Sequence, residues 1–502
     1  MPRYIIAPRL AAGPKPAAAE HVRSVVAGFA TARSAARAPG SGELEVGVID
    51  LDVKEAAAHR ANLSSDIILE EEKLRWNGLL HPLAREPVPN APLPHGIGAA
   101  VELRVTLDGA PLEGVVAVMS LQGLRGSMST TSTAATGADG EAPLHYDPHL
   151  WRPLSLNVTP RSRAWAGCAA VTGPRMTLAL LGLPRSGPLG WWHQSLGQSR
   201  YDAELGTGIR VGIIDTGIGP HPYLAHAARA GAIVAGKFDQ SPNATDDVAE
   251  HGTHVAGIVG ARPTDLRDFA GIAPGADLVA LRVYPGGGPL GTEAGFTTNG
   301  DIAQAITRLS DAEGCDLINL SSGGLLRSEI EIDRIVAAFN RGTLTISSAG
   351  NGRGPPVLFP ASDPNVIAVS ALGILNTTPP LALDTFSTPR CPDHYGIGGA
   401  YLASFSSFGP EVKCIAPGVG IISTVPTPDG SAPGYLAASG TSAAAPIVTA
   451  TLAALLSRDA TYKTLPRSRE RALWAWNVLA RTFRSLGLFP AYQGFGIPTV
   501  FS

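Results

Sequence analysis

Ser439-Gly440-Thr441-Ser442-Ala443-Ala444-Ala445-Pro446 runs without a break into Ile447-Val448-Thr449-Ala450-Thr451-Leu452-Ala453-Ala454-Leu455-Leu456. Small residues surround one serine and an apolar helix follows at once. A Ser there sits at a helix N-terminus, where unpaired backbone N–H groups and the helix dipole favour developing negative charge. That suits a nucleophile, and it suits equally an N-cap serine opening a buried helix, since Ser and Thr are preferred caps. Stretches upstream bear on the choice.

Ile209 to Ile214 reads as a buried strand, and Asp215-Thr216-Gly217 follows it, so a carboxylate emerges at the strand's C-terminal edge, where open α/β sheets place ligands. His251-Gly252-Thr253-His254-Val255-Ala256-Gly257 is a small-residue helix start with two histidines on one face. A serine hydroxyl needs a base within hydrogen-bond reach, and that base needs a group to fix its tautomer. Asp215, His251 and Ser442 supply all three. Glu45 to Asp50 also ends a strand-like run in Asp, but Leu51 follows it in place of a small residue and Gly, and Asp50 reads as a surface residue of a different unit.

Together, Val211 to Gly217, His251 to Gly257 and Gly440 to Pro446 resemble, in order and spacing, the three signatures of the subtilisin-like serine peptidases, the subtilases. The resemblance implies that Asp215 orients the imidazole, that His251 is general base and then acid, and that Ser442 attacks the scissile carbonyl, with His254 structural. It also implies that Asn351, in Ile346-Ser347-Ser348-Ala349-Gly350-Asn351-Gly352, donates its amide to the oxyanion beside the serine's backbone N–H. Losing such a donor costs about 10² to 10³ in rate, a range carried over from this family. Asn319 to Gly324 matches the family's substrate-binding strand, so Ser321, Ser322, Gly323 and Gly324, with Ser348, Ala349 and Gly350, are expected to bind an extended peptide. Gly286 to Gly291 would form the opposite wall. Leu358 falls near the floor of the primary specificity pocket and would shorten it, and Ala443 replaces a methionine common in the family.

The chain's 502 residues, 44% hydrophobic and 16% charged, can build several substantial cores. A net charge of -3 offers no basic footprint for nucleic acid or a membrane surface. The start, Met1 to Arg9, has no apolar signal-peptide core, which leaves a cytoplasmic place or export by a non-standard route as the expectation. Cys168, Cys315, Cys391 and Cys414 are few for a disulfide scaffold and lack metal-ligand spacing. The chemistry calls for no cofactor. Structural calcium is common in the family, but Asp246-Asp247 is too little to place a site.

The expected fold is α/β: a doubly wound parallel sheet over 185–502, inferred from alternating strands and helices, preceded by two smaller units. Residues 1–76 read as an α+β unit, with strands at Tyr4 to Ala7, Leu44 to Ile49 and Ile67 to Glu70 and helices at Ala17 to Ala36 and Val53 to Asn62. Its element order resembles the family's inhibitory prodomains, which thread a C-terminal strand into the cleft. Residues 77–97 form a proline-rich linker, and 98–184 a small β-sandwich, with Ser127 to Thr136 as a loop. Gly190-Trp191-Trp192 is expected to cap the large domain, and Glu470 to Leu486 to close it as a helix. The function expected is a serine endopeptidase working on protein or peptide through an acyl-enzyme, with its own N-terminal unit as inhibitor. A peptide ligase or macrocyclase on the same triad, or a latent binding scaffold, stands as the alternative.

Overall fold

The computed structural model describes residues 2–13, 16–27, 33–34, 46–77, 98–125, 127–286, 295–427 and 432–500. Most of the expected linker and of the Gly286 to Gly291 wall lies outside them. At the centre is a nine-stranded sheet. Strands Ala228–Val234, Asp277–Arg282, Arg210–Asp215, Leu317–Leu320, Leu344–Ser348 and Val366–Ile374 lie side by side in that order and run parallel, with Val412–Pro417 parallel on the last. Antiparallel strands Lys237–Asp239 and Ala400–Leu402 close the sides. Both faces are covered, as near-continuous apolar strands require. Val211 and Ile213 share a core with helices His251–Gly260 and Thr441–Leu456, whereas Ile214, Val279 and Leu281 meet Ile302, Ile306 and Ile335 of helices Asn299–Thr307 and Glu329–Asn340. Trp192 is buried against Phe269, the ring centroids 5.1 Å apart.

Helix Val53–Asn62 has the limits expected: Asp52 accepts from Lys54 and Glu55 N–H groups, and Glu55 returns a carboxylate to the Asp52 N–H. Its Ala56 shares a core with Tyr4, Ile6, Ile49 and Leu69 of an antiparallel sheet ordered Arg33–Ser34, Gly47–Asp50, Arg3–Pro8, Ile67–Glu71. Helix Pro16–Ala27 is shorter than the Ala17 to Ala36 expected, since Arg33–Ser34 pairs as a strand; Gly28 follows its last described residue. Asp50, half-buried, ends its strand opposite Arg3.

Between residues 99 and 180, two four-stranded sheets enclose one core containing Val101, Leu103, Met119, Leu121, Leu144 and Val158. Ser127 to Thr136 is no loop. It contains strand Ser129–Ala135, paired along its length with Val116–Gly123 and burying Thr131 and Ser132. β-Branched threonines favour a pleated surface although the segment lacks large apolar residues. This unit touches the large domain: Trp165 enters the central core, the Leu383 N–H donates to Ala166 O at 2.7 Å, and the Arg163 N–H to Tyr435 O at 2.8 Å.

The closing helix spans Arg469–Ala480, not Glu470 to Leu486. The Thr482 N–H and hydroxyl both turn back to Leu479 O, and the chain then bridges Arg484 to Ile497. One strand crosses between units: Leu74–Asn77 leaves the N-terminal sheet and pairs antiparallel with Thr297–Thr298 on one side and Ser322–Gly323 on the other.

Candidate active site

Asp215 is the last residue of its strand and is buried. Its Oδ1 accepts the Thr216 N–H at 2.7 Å and lies 2.5 Å from His251 Nδ1. A carboxylate there fixes the tautomer with the proton on Nδ1, leaving Nε2 as a base. His251 opens helix His251–Gly260, and Gly252 explains how that helix start reaches the strand end. A Cβ on Gly252 would lie 2.1 Å from Gly217 O, so a bare glycine permits the approach.

Asp247 knits the two sides together. Its Oδ1 accepts the Thr216 hydroxyl at 2.7 Å, its Oδ2 accepts the Thr253 N–H at 2.8 Å and the Thr253 hydroxyl, and the Gly252 N–H donates to Thr216 Oγ1 at 2.9 Å. Burial pushes the Asp247 carboxyl up, opposed by these donors. Asp246 pairs instead with Arg229. Among the described residues, no group of three or more His, Cys, Asp or Glu side chains is placed to hold a metal ion. His254 Nε2 lies 3.1 Å from the carbonyls of both Ile421 and Leu436, tying its helix to the hairpin of strands Ile421–Thr424 and Tyr435–Ala438.

Ser442 is the second residue of Thr441–Leu456, which packs against the His251–Gly260 helix. Pro446, four residues on, has no N–H to give the Ser442 carbonyl. The Ser321 hydroxyl donates to that carbonyl at 3.0 Å, and is itself held by Asn319 Nδ2 at 2.9 Å, while Asn319 Oδ1 takes the Thr449 hydroxyl at 3.0 Å. Ser321 therefore supports the serine from behind. Two donors of Thr441, the N–H at 3.0 Å and the hydroxyl at 2.9 Å, fix Asn351 Oδ1, which makes Nδ2 the donor end of that amide. Ser442 Oγ and His251 Nε2 are both buried and have no hydrogen-bond partner among the described residues.

The backbone of Ser322 and Gly323 carries strand Leu74–Asn77 in the register Ser322 to Asn77 and Gly323 to Trp76. Gly324 exchanges hydrogen bonds with Phe359 instead. Ser348 closes the Leu344–Ser348 strand, while Ala349 bonds to Val369 and Leu358 and Gly350 to Thr441 and Ser407. None of these three pairs with the crossing strand. Leu358 is buried against Gly323 and Gly350.

Sequence reasoning missed Thr216, Asp247, Thr253, Asn319, Thr441 and Thr449. Two signals were present: a proline four residues after the serine leaves a carbonyl without its helical donor, and Asn319 is polar within the apolar strand Leu317–Leu320.

A strand-end carboxylate, a helix-opening histidine and a helix-opening serine on a doubly wound sheet define a serine-hydrolase type of site. Residues 206–489 match the model of the Subtilase family, and the chain belongs to that family. It is 35% identical over 254 residues to the thermophilic serine proteinase of Bacillus sp. (strain AK1), covering 50% of this chain and 52% of that protein. With thermitase of Thermoactinomyces vulgaris it shares 31% identity over 260 residues, 51% of this chain and 78% of the relative. Subtilisin BL of Lederbergia lenta is 30% identical over 260 residues, 52% of this chain and 80% of that protein. The chain thus spans about half the length of the AK1 proteinase.

Proposed function

We propose that this chain is a serine endopeptidase acting through an acyl-enzyme, with Asp215, His251 and Ser442 as its triad and Asn351 as oxyanion donor. The observation that carries the reading is the 2.5 Å contact between His251 Nδ1 and Asp215 Oδ1, on a helix packed against the one that begins at Thr441-Ser442, where the serine hydroxyl is buried and has no partner among the described residues. Ser442 Oγ attacks the scissile carbonyl as His251 Nε2 takes its proton; His251 then protonates the leaving amine, and Asp215 stabilises the transient imidazolium. The tetrahedral oxygen takes hydrogen bonds from the Ser442 N–H, which helix geometry leaves unpaired, and from Asn351 Nδ2. Water, deprotonated by His251, releases the acid. The chemistry calls on no cofactor.

The same reading makes the N-terminal unit a self-inhibitor. Its strand Leu74–Asn77 fills the place of an extended peptide on Ser322–Gly323. Glu70 docks it by accepting from the Ser328 hydroxyl at 2.6 Å and the Glu329 and Ile330 N–H groups at 2.9 and 3.0 Å, at the head of helix Glu329–Asn340. Burial works to raise the Glu70 carboxyl, yet Lys73, Ser328 and the two N–H groups hold it below the usual glutamate range. The β-sandwich serves as a binding or spacing module.

The test is intact mass after incubation with a serine-directed fluorophosphonate, for the wild type and a Ser442→Ala control, with product masses from an added peptide. One adduct on the wild type only, and products carrying one added water, is the expected result. No adduct on either the wild type or an Arg75→Ala chain would sink the proposal.

A further inference from the structure

Arg75 and Glu331 form an ion pair whose two side chains are each 0% exposed. Taking two such charges out of water is costly unless geometry and further hydrogen bonds offset it, and here the geometry is that of a fitted guanidinium site. Arg75 Nε and Nη2 meet Glu331 Oε1 and Oε2 at 3.2 and 2.6 Å, Nη2 also reaches Leu326 O at 2.9 Å, and Nη1 reaches Leu74 O at 3.1 Å. The guanidinium carbon lies 5.3 Å from the centre of the Phe359 ring. Gly324 leaves the room: a Cβ there would lie 2.8 Å from Arg75 Nη1.

The two partners are 256 residues apart. Arg75 belongs to the crossing strand, Glu331 to the first turn of helix Glu329–Asn340, a position the helix dipole favours for a carboxylate. Two cations nearby are engaged elsewhere: Lys73 with Glu70 and Arg327 O, Arg334 with Asp333 and Pro8 O. Without Leu74–Asn77 in the groove, Glu331 would lack the counter-charge that Arg75 supplies. Any peptide that takes the same register, with Arg75's position opposite Thr297 on one wall and the next residue opposite Gly323 on the other, directs the side chain at Arg75's position into this pocket.

We infer that Glu331 makes the groove select peptides carrying arginine at the register position of Arg75, so that one acidic pocket sets substrate preference and anchors the self-inhibitory strand. The inference rests on the peptidase reading above. Arginine is preferred over lysine because the fork engages both carboxylate oxygens and the Leu326 carbonyl, whereas an ammonium offers a single point.

The experiment uses full-length wild type, Arg75→Ala, Glu331→Gln and the double variant Arg75→Ala with Glu331→Gln on a proteome-derived peptide library, with cut sites read by mass spectrometry and fluorophosphonate labelling of Ser442 timed in parallel. Expected are arginine enriched at least tenfold over lysine at one fixed position upstream of the cut, and loss of that enrichment in Glu331→Gln. Labelling should quicken at least tenfold in each single variant, and the double variant should label no faster than either. Cuts without arginine enrichment, or enrichment unchanged in Glu331→Gln, overturn the inference and leave the peptidase reading standing. Neither cuts nor an adduct in any chain overturns both.

Discussion

The Ser321 hydroxyl stands in for the backbone N–H that Pro446 lacks, donating to the carbonyl of Ser442 at 3.0 Å. Ser321→Ala leaves a buried carbonyl unsatisfied, at a cost of about 1 to 3 kcal/mol. The melting temperature should fall by at most about 2 to 4 °C for each kcal/mol lost. Calorimetry checks it, and a melting temperature unchanged from wild type would mean that the network behind the nucleophile contributes nothing.

Thr441 acts one step closer to the chemistry, because its two donors hold the carbonyl end of Asn351. Thr441→Ala keeps the N–H and loses the hydroxyl, so kcat should drop about tenfold with KM little changed, whereas Asn351→Ala should cost the roughly 10² to 10³ usual for such a donor in this family. Steady-state kinetics on one peptide separates the two. A larger loss in Thr441→Ala than in Asn351→Ala would contradict the oxyanion assignment.

Gly252→Ala tests how the histidine is brought to the aspartate. The added methyl would sit 2.1 Å from Gly217 O, a backbone atom that cannot swing aside. The helix start must shift away from Asp215, and misplacement of about 1 Å can cost 10² in rate. Fluorophosphonate labelling should slow by about that factor in a chain that still folds, as judged by circular dichroism; an unaltered rate would count against the assigned geometry.

Asp384 predicts a pH dependence. Burial raises its carboxyl to about 6, with the Ser439 hydroxyl pulling the other way. A folded-state value above the unfolded one means the contribution to stability is complete below the ordinary aspartate range and fades as pH rises through about 6. Asp384→Asn does not titrate, so the stability difference between wild type and variant should move against the wild type by about 2 kcal/mol between about pH 4 and pH 7. Denaturant melts at the two pH values measure it, and a difference that stays constant would place the carboxyl's titration elsewhere.

Leu358→Gly empties space beside Gly323 and Gly350. It should raise the ratio of kcat/KM for large aromatic over small side chains next to the cut about tenfold, despite a stability loss of about 2 to 5 kcal/mol. A ratio that does not rise would show that Leu358 does not bound that pocket.

What could be read from the sequence was local. Asp215, His251, Ser442 and Asn351 each sit in a short stretch whose strand end, small residues or glycine turn carries its own signal, and the helix Val53 to Asn62 was legible as a local pattern. The support around the site was not legible because its partners are joined only by the fold. Asp247 lies in a turn between Thr216 and Thr253, Asn319 meets Thr449 across 130 positions, and Glu331 looks like an ordinary first-turn acid until Arg75 arrives from the other end of the chain. Ser129–Ala135 was hidden for another reason: its threonines favour a strand, but the segment lacks the large apolar residues whose alternation marks one.

Leu74–Asn77 lies between Thr297–Thr298 and Ser322–Gly323 while remaining part of the same chain. A tethered occupant meets its groove at an effective concentration that reaches the millimolar range for short flexible connections, about a thousandfold above a free peptide at micromolar levels. Diluting the protein leaves that advantage untouched, because strand and groove travel together. A single break after Asn77 changes the molecularity: once the N-terminal fragment has parted, its return is bimolecular, and a dilute sample then keeps its groove open where a concentrated one refills it.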